Sequence, residues 1–160
     1  MKKILISSLF VSSLLFNACT TNHALLNFKK ENIRNSNALQ FTKKSDIKIS
    51  NEPKVQFFAS YLNKINRDLN NNKEEFLIGV YLINSKTQNF LQEGFLITLN
   101  DKEPLDKILV DEKSELIKSL PIKNPWGRYY KVEFEKQEEG SMILKLEKPN
   151  FGQTQLNFQK

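Results

Sequence analysis

The chain has 160 residues, of which 24 are Lys or Arg and 18 are Asp or Glu, and it contains one Cys and one His. That length fits one domain together with a targeting segment, and a single cysteine excludes an internal disulfide. The net charge of +6 is not gathered into an Arg-rich stripe interleaved with aromatic residues, so the composition gives no indication of nucleic-acid binding.

The N-terminus has the layout of a secretory signal peptide. Lys2 and Lys3 form a basic start. Residues 4–16 form an apolar run that is interrupted only by serines, and the small residue Ala18 follows. A helix of that apolar length would be roughly 20 Å long, whereas the hydrocarbon core of a bilayer is about 30 Å thick. The pattern therefore predicts a cleaved leader at residues 1–18 rather than a permanent membrane span.

The segment Leu15-Phe16-Asn17-Ala18-Cys19 resembles the bacterial lipobox, in which the cysteine becomes the lipidated N-terminus. The resemblance implies cleavage before Cys19 and acyl chains such as palmitate on that residue. Thr20 in place of Asp favours the outer membrane by the same resemblance. Two or three chains, at ~0.8 kcal/mol per buried CH₂, anchor a protein stably. We therefore predict an outer-membrane lipoprotein whose domain faces the periplasm, rather than a secreted protein with an incidental cysteine.

Residues 19–52 are polar, rich in Asn and Lys, and without a sustained period, which predicts a lipidated flexible tether with local order near Phe41. The only histidine, His23, lies in this segment. Metal ligation and proton transfer both need partners held in fixed geometry, so we expect no metal site, no cofactor and no enzymatic activity.

Short β-type runs separated by turn residues characterise the chain from residue 53 to residue 160. Lys54 to Tyr61 alternates as a half-buried strand does, and Phe76 to Ile83 is nearly all apolar, as in a strand buried on both faces. Three further amphipathic strands are predicted, at Tyr129–Glu135, Met142–Glu147 and Thr154–Phe158. The pattern predicts an all-β domain, as in a small sandwich, over residues 53–160.

Residues 87–99 are ambiguous. Gly94 to Leu99 reads locally as a strand, yet Leu91, Phe95 and Leu99 have the spacing of one helical stripe. Periodicity alone does not decide between the two.

Two smaller features have structural interpretations. The carboxylate pairs Glu74-Glu75 and Glu138-Glu139 lie at predicted strand ends or turns, where solvated faces explain them better than catalysis does. Trp126, between a proline and a glycine, fits either a plug at one end of the sandwich or an exposed anchor for a partner, and plugging is the favoured interpretation.

The order of several residues resembles the TssJ family, the outer-membrane lipoproteins of the type VI secretion system. The matching residues are Ile65-Asn66-Arg67-Asp68, Val80-Tyr81-Leu82, Phe90, Phe95 and Leu105. The match covers roughly Lys54 to Leu116, together with the lipoprotein leader. It implies a transthyretin-like two-sheet β-sandwich with a small helical insertion, and so favours a helix over Thr87 to Leu99.

The same resemblance implies a function. TssJ-like proteins bind the periplasmic domain of a TssM-like inner-membrane protein, and through it a TssL-like protein, by the loop between the first two predicted strands, here Asn63 to Glu74. The partner-binding residues expected from it are Asn66, Arg67, Asp68, Asn70 and Asn71. Nucleic acid and small-molecule substrates are not expected. The alternative is an envelope binding lipoprotein, an adhesin or an outer-membrane assembly factor, unrelated to secretion.

Overall fold

Antiparallel β-strands make up most of the folded chain in a computed structural model, which describes residues 37–66, 72–138 and 140–160. The strands are β1 (Thr42–Ile49), β2 (Glu52–Tyr61), β3 (Lys73–Leu82), β4 (Leu96–Leu99), β5 (Asp106–Leu109), β6 (Arg128–Glu135), β7 (Ser141–Lys148) and β8 (Gly152–Gln159). Two four-residue helices accompany them, α1 (Leu62–Ile65) and α2 (Glu115–Lys118). Residues 37–40 form a further helical turn.

The strands form two sheets. The larger sheet has the order β1-β2-β3-β6-β5 and the smaller one has the order β4-β7-β8. Every pairing between neighbours is antiparallel. The predicted all-β, two-sheet sandwich is confirmed.

The main hydrophobic core lies between the two sheets. Alternate side chains of β7 and β8 point into it, among them Leu144 and Phe158, and they meet the inward side chains of β2, β3 and β6. Phe76 and Phe158 pack edge to face with ring centroids 5.2 Å apart, which joins the two sheets directly. Burying such a side chain contributes roughly 1.5–3 kcal/mol. This core therefore explains why a chain with one cysteine folds without a disulfide.

A second core covers the outer face of the larger sheet. Phe58, Leu77 and Tyr129 point outward from β2, β3 and β6, and Ile117 and Leu120 from the α2 region pack over them. This covering segment explains why β3 is apolar on both faces, so the prediction of a doubly buried strand is confirmed.

Gly79 makes room for this outer core. A Cβ added at Gly79 would lie 2.1 Å from the ring of Phe58, well inside van der Waals contact. Phe58 and Gly79 are direct partners across β2 and β3, so the ring lies over the glycine. Only a residue without a side chain fits beneath it.

The helix predicted over Thr87 to Leu99 is wrong. Turns occupy residues 90–94, and β4 follows at Leu96–Leu99. Gly94 has φ +79°, which ends any right-handed helix at that point. Phe90 and Phe95 both enter the main core, and the amide of Phe95 donates to the carbonyl of Phe90 at 3.0 Å. The apparent helical stripe is a turn that brings two phenylalanines inward.

The predicted boundary between tether and domain lies too late in the chain. β1 pairs with β2 from Thr42 opposite Ser60 to Ile49 opposite Glu52, and Ile47 is 1% exposed. The flexible tether predicted for residues 19–52 is therefore wrong from Thr42 onward. The predicted leader at residues 1–18, and Cys19 and His23, lie outside the described residues.

Candidate partner-binding site

The predicted docking loop, Asn63 to Glu74, joins β2 to β3 at the end of the sandwich where β6 ends and β7 begins. Of its predicted binding residues, Asn66 is exposed and ends α1, where its amide donates to the carbonyl of Leu62 at 2.8 Å. The other four predicted residues, Arg67, Asp68, Asn70 and Asn71, lie outside the described residues.

Asn63 closes the base of this loop with one side chain. Its Nδ2 donates to the carbonyl oxygen of Lys73 at 2.9 Å, and its Oδ1 accepts from the amide of Glu75 at 2.8 Å. A carboxamide offers both a donor and an acceptor, so it replaces a pair of backbone groups across the loop. Leu62, the preceding residue, is 5% exposed and holds α1 against the outer core. Both ends of the loop are therefore fixed.

Glu74 is a buried carboxylate, 1% exposed, at the point where the loop enters β3. Its Oε1 accepts from the ammonium of Lys160 at 2.6 Å and from the amide of Gln137 at 2.9 Å. Its Oε2 accepts from the hydroxyl of Tyr61 at 2.5 Å. Lys160 also donates to the carbonyl of Gln137. A buried charge needs such partners, and short charge-assisted hydrogen bonds are the strongest of their kind.

These contacts determine the protonation states of Glu74 and Tyr61. Burial alone would raise the pKa of the Glu74 carboxyl, but hydrogen bonds from Lys160, Tyr61 and the Gln137 amide together hold that pKa below its ordinary value. Burial and the hydrogen bond to Glu74 raise the pKa of the Tyr61 hydroxyl. At neutral pH Glu74 is ionised and Tyr61 remains a hydrogen-bond donor.

A second charged network lies on the outer face directly behind the loop. Lys73 contacts Glu133 at 2.7 Å, and Lys131 contacts Glu133 at 3.0 Å and Glu75 at 3.1 Å. Hydrogen bonds from Lys73 and Lys131 hold the pKa of the Glu133 carboxyl below its ordinary value. Together with Glu74, three consecutive residues at the start of β3 are each tied to another part of the fold.

The interpretation of Glu74 and Glu75 as solvated is wrong, because they are 1% and 8% exposed. The sequence did contain a signal for Glu74. At period two it shares a strand face with Phe76 and Ile78, which predicts an inward carboxylate that needs a partner. In the other pair, Glu138 lines the groove described next, and Glu139 lies outside the described residues.

An open groove runs beside the base of the loop. Its lining includes the partly exposed Phe41, with Lys64, Lys136 and Glu138 at the sides, whereas Tyr61, which also lines it, is only 2% exposed. An aromatic ring flanked by charges of both signs suits a polypeptide segment better than a compact apolar ligand. Among the residues the structure describes, no group of three or more His, Cys, Asp or Glu side chains is placed to bind a metal ion.

Trp126 does not plug the sandwich, so that interpretation is wrong. The residue is 69% exposed, and its ring lies 6.4 Å from that of Tyr81 at a tilt of 42°. The amide of Gly127 donates to the carbonyl of Asn124 in a tight turn, which directs the indole outward. This turn leads into β6, at the end of the sheet opposite to the docking loop.

No protein-family model matches the chain, and no significant match was found among curated proteins or solved structures. The likeness to TssJ therefore rests on the sequence motifs alone. None of the helices in the described part of the chain is long and apolar enough to cross a membrane.

Proposed function

We propose that this chain is an outer-membrane lipoprotein that holds the periplasmic domain of a TssM-like inner-membrane protein through the loop Asn63 to Glu74. It would thereby anchor the membrane complex of a type VI secretion system. The observation that carries the proposal is the closed base of this loop, where the Asn63 carboxamide bonds to both Lys73 and Glu75.

A loop with fixed ends is a favourable binding element for a physical reason. Association loses free energy to the ordering of side chains and loops, and a segment that is already restrained loses less. Here the restraints at Asn63, Glu74 and Glu75 lie in the scaffold, on both sides of the proposed contact residues. The groove beside the loop adds Phe41 as adjoining surface.

The proposed anchor is compatible with a partner that reaches across the periplasm. Lipid on Cys19 would fix one end of the mature chain, and β1 begins at Thr42. The intervening residues can span at most on the order of 75 Å. Because this distance exceeds the ~33 Å length of a ten-residue strand such as β2, lipidation does not force the docking loop against the lipid.

Co-isolation from the cell envelope tests the proposal. An epitope tag inserted between Ser50 and Asn51, in the β1–β2 turn at the end away from the loop, leaves Lys160 unmodified. After mild cross-linking, the tagged full chain should co-isolate a TssM-like protein. Recovery of outer-membrane assembly proteins or of adhesion ligands, without a TssM-like protein, would contradict the secretion role.

The alternative envelope-binding function is favoured by one observation, the exposed Trp126 beside Tyr81. Exposed tryptophans are frequent energetic centres of protein interfaces. The two functions therefore predict opposite sensitivities. Docking through the loop predicts that Trp126→Ala retains the partner, whereas binding through the tryptophan predicts that this variant loses it.

A further inference from the structure

The turn before β6 holds Trp126 outward on a rigid support. Trp126 is 69% exposed, the highest fraction among the exposed large apolar side chains in the described ranges. Its amide donates to Oδ1 of Asn124 at 2.9 Å, and the amide of Gly127 donates to the Asn124 carbonyl at 3.1 Å. The Tyr129 hydroxyl accepts from the Asn124 amide at 2.7 Å and donates to the same carbonyl at 3.0 Å. The indole is therefore presented by a turn that needs little further ordering when a partner binds.

A second aromatic ring lies beside the indole. Tyr81 is on the outward face of β3, and its ring centroid is 6.4 Å from that of Trp126 at a tilt of 42°. A Cβ added at Gly127 would lie 3.1 Å from the carbonyl oxygen of Val80, so the turn packs directly on β3. Single exposed apolar side chains are common on protein surfaces, whereas two adjacent rings on fixed supports form a contact surface.

The polar groups around the two rings are mainly unused donors. Gln56 lies opposite Tyr81 across β2 and β3, and its Oε1 accepts from Nδ2 of Asn124 at 3.1 Å. The side-chain oxygens of Gln56 and Asn124 therefore each accept a bond already. Over residues 37–66, 72–138 and 140–160, no group bonds to Nε1 of Trp126, the Tyr81 hydroxyl or Nε2 of Gln56. Indole and amide N–H groups only donate, so this surface suits a ligand that supplies acceptors.

The neighbouring charges do not select the ligand. Asp46 lies opposite Gln56 across β1 and β2, and its carboxylate faces the ammonium of Lys44 at 3.7 Å. Arg128 lies opposite Val80, which belongs to the main core, so its side chain leaves β6 on the other face of the sheet. Aromatic contact and hydrogen-bond donors are therefore the features that a ligand has to match.

We propose that the aromatic turn surface, formed by Gln56, Tyr81, Asn124 and Trp126, binds a proline-rich segment of another protein in the polyproline II conformation. A polyproline II helix has no internal hydrogen bonds, so its carbonyl oxygens are free to accept. Proline has no N–H, so such a segment brings no donor that the surface would leave unmatched. Its pyrrolidine rings pack on aromatic side chains, which is the usual form of this recognition.

The same hydrogen-bonding groups argue against two other occupants. A saccharide presents hydroxyls that donate as well as accept, whereas the side-chain amide oxygens of this surface are already engaged. A segment of this chain is excluded because its five prolines stand singly along the sequence. The surface lies at the end of the larger sheet opposite the docking loop, so the proposal does not rest on the proposed secretion role.

Fluorescence of the purified full chain tests the ligand class, because Trp126 is its only tryptophan. Titration with octaproline should give a saturable blue shift, since covering the indole removes it from water. A control octapeptide of alternating Gly and Ser should give none. The tetramer of N-acetylglucosamine is the saccharide probe. The absence of a saturable response to octaproline, or a saturable response to the tetrasaccharide alone, would overturn the proposal.

Substitutions at Tyr81 test the site. Tyr81→Ala should weaken octaproline binding roughly tenfold or more, because aromatic side chains carry much of the energy of an interface. Tyr81→Phe keeps the ring and removes the donor, so it should weaken binding by about two- to tenfold, the effect of one hydrogen bond. Leu96→Ala is the matched control, since Leu96 is 50% exposed on the smaller sheet, and it should bind as the parent chain does.

Replacement of residues 67–72 by a Gly-Ser link separates this site from the docking loop, because octaproline binding should be unchanged. Thermal unfolding establishes that each variant is folded, and Tyr81→Phe supplies the decisive comparison if Tyr81→Ala does not fold. Parent affinity in both folded Tyr81 variants, or an equal loss in Leu96→Ala, would overturn the assigned surface.

Discussion

The ammonium of Lys160 and the carboxylate of Glu74 lie 2.6 Å apart, although 86 positions separate the two residues in the sequence. Lys160 directly follows β8 in the smaller sheet, and Glu74 belongs to β3 in the larger one. The ion pair therefore joins the two sheets at the end that presents the docking loop. Because of this ion pair, a substitution at Lys160 should also affect Glu74 at the base of the loop.

Removing the Lys160 ammonium should destabilise the domain. In Lys160→Met the apolar stem remains, but Glu74, which is 1% exposed, loses one of its three hydrogen-bond donors. Losing a partner of a buried charged group costs about 1–3 kcal/mol of unfolding free energy. Denaturant unfolding measures this loss of unfolding free energy. Lys118→Met is the control, because its ion pair with Glu115 is exposed and should contribute less than ~1 kcal/mol.

Glu74 should also make stability depend on pH. Its folded pKa lies below the ordinary value of 4.5, so its stabilising contribution is complete above about pH 4.5. That contribution is lost as the pH falls from there through the folded pKa. Glu74→Gln should be less stable than the parent chain at pH 7, with a difference that shrinks on acidification. Chemical unfolding between pH 7 and pH 3 tests this. A difference in unfolding free energy that stays constant over this range would show that Glu74 does not cause the pH dependence.

The contact between Phe58 and Gly79 predicts a compensating pair of substitutions. Gly79→Ala places a Cβ 2.1 Å from the Phe58 ring and should lower the unfolding free energy by roughly 1–3 kcal/mol through overpacking. Phe58→Leu removes the ring edge, so Gly79→Ala should cost much less in that background. A double-mutant cycle measures the coupling, and simple additivity would exclude a direct contact.

The strands with a clear pattern of apolar residues were predictable from the sequence, whereas the edge strands β1 and β5 were not. β6 and β7 alternate regularly because one face meets the core, and β3 is nearly all apolar from Phe76 onward because both faces are covered. β1 was not predicted because an edge strand buries few side chains. In β1 the buried side chain is Ile47, which stands among lysines. β5 was not predicted because all four of its residues are exposed, so it has no apolar face that alternates with a polar one.

The site was predictable only in outline. The position of a loop between β2 and β3 follows from the sequence, but the bonds that close it do not. Asn63 reaches the far side of the loop, and Lys160 reaches Glu74 from the last strand. Sequence periodicity reports the face on which a side chain lies, whereas these contacts depend on which strands become neighbours.

The predicted anchor depends on one thiol. Cys19→Ser removes the only cysteine, so neither lipid attachment nor the cleavage coupled to it should occur. The variant should accumulate as an uncleaved precursor or as a soluble periplasmic form. Membrane fractionation with salt washing measures this, together with the apparent mass. Serine-substituted chain that still floats with the outer membrane after washing would contradict the lipid anchor.

Replacement of the middle of the docking loop tests the central proposal. Substituting residues 67–72 by a short Gly-Ser link leaves Asn63, Lys73 and Glu74 in place, so the restraints at the loop base are retained. Changing the length of a restrained surface loop should alter the unfolding free energy by less than ~1 kcal/mol. Thermal unfolding of the full chain establishes this first. The matched control is Ser50→Gly with Asn51→Gly, at the opposite end of β1 and β2, where both residues have positive φ.

The deciding measurement is then the affinity for the purified periplasmic domain of the TssM-like protein. Calorimetry measures this affinity for the parent chain, the loop replacement and the turn control. Contact energy at protein interfaces is concentrated in a few residues, among which we expect Arg67 and Asp68. The proposal predicts that the loop replacement abolishes binding while the turn control binds as the parent does. A loop-replaced chain that unfolds at the parent temperature and binds with the parent affinity would contradict it.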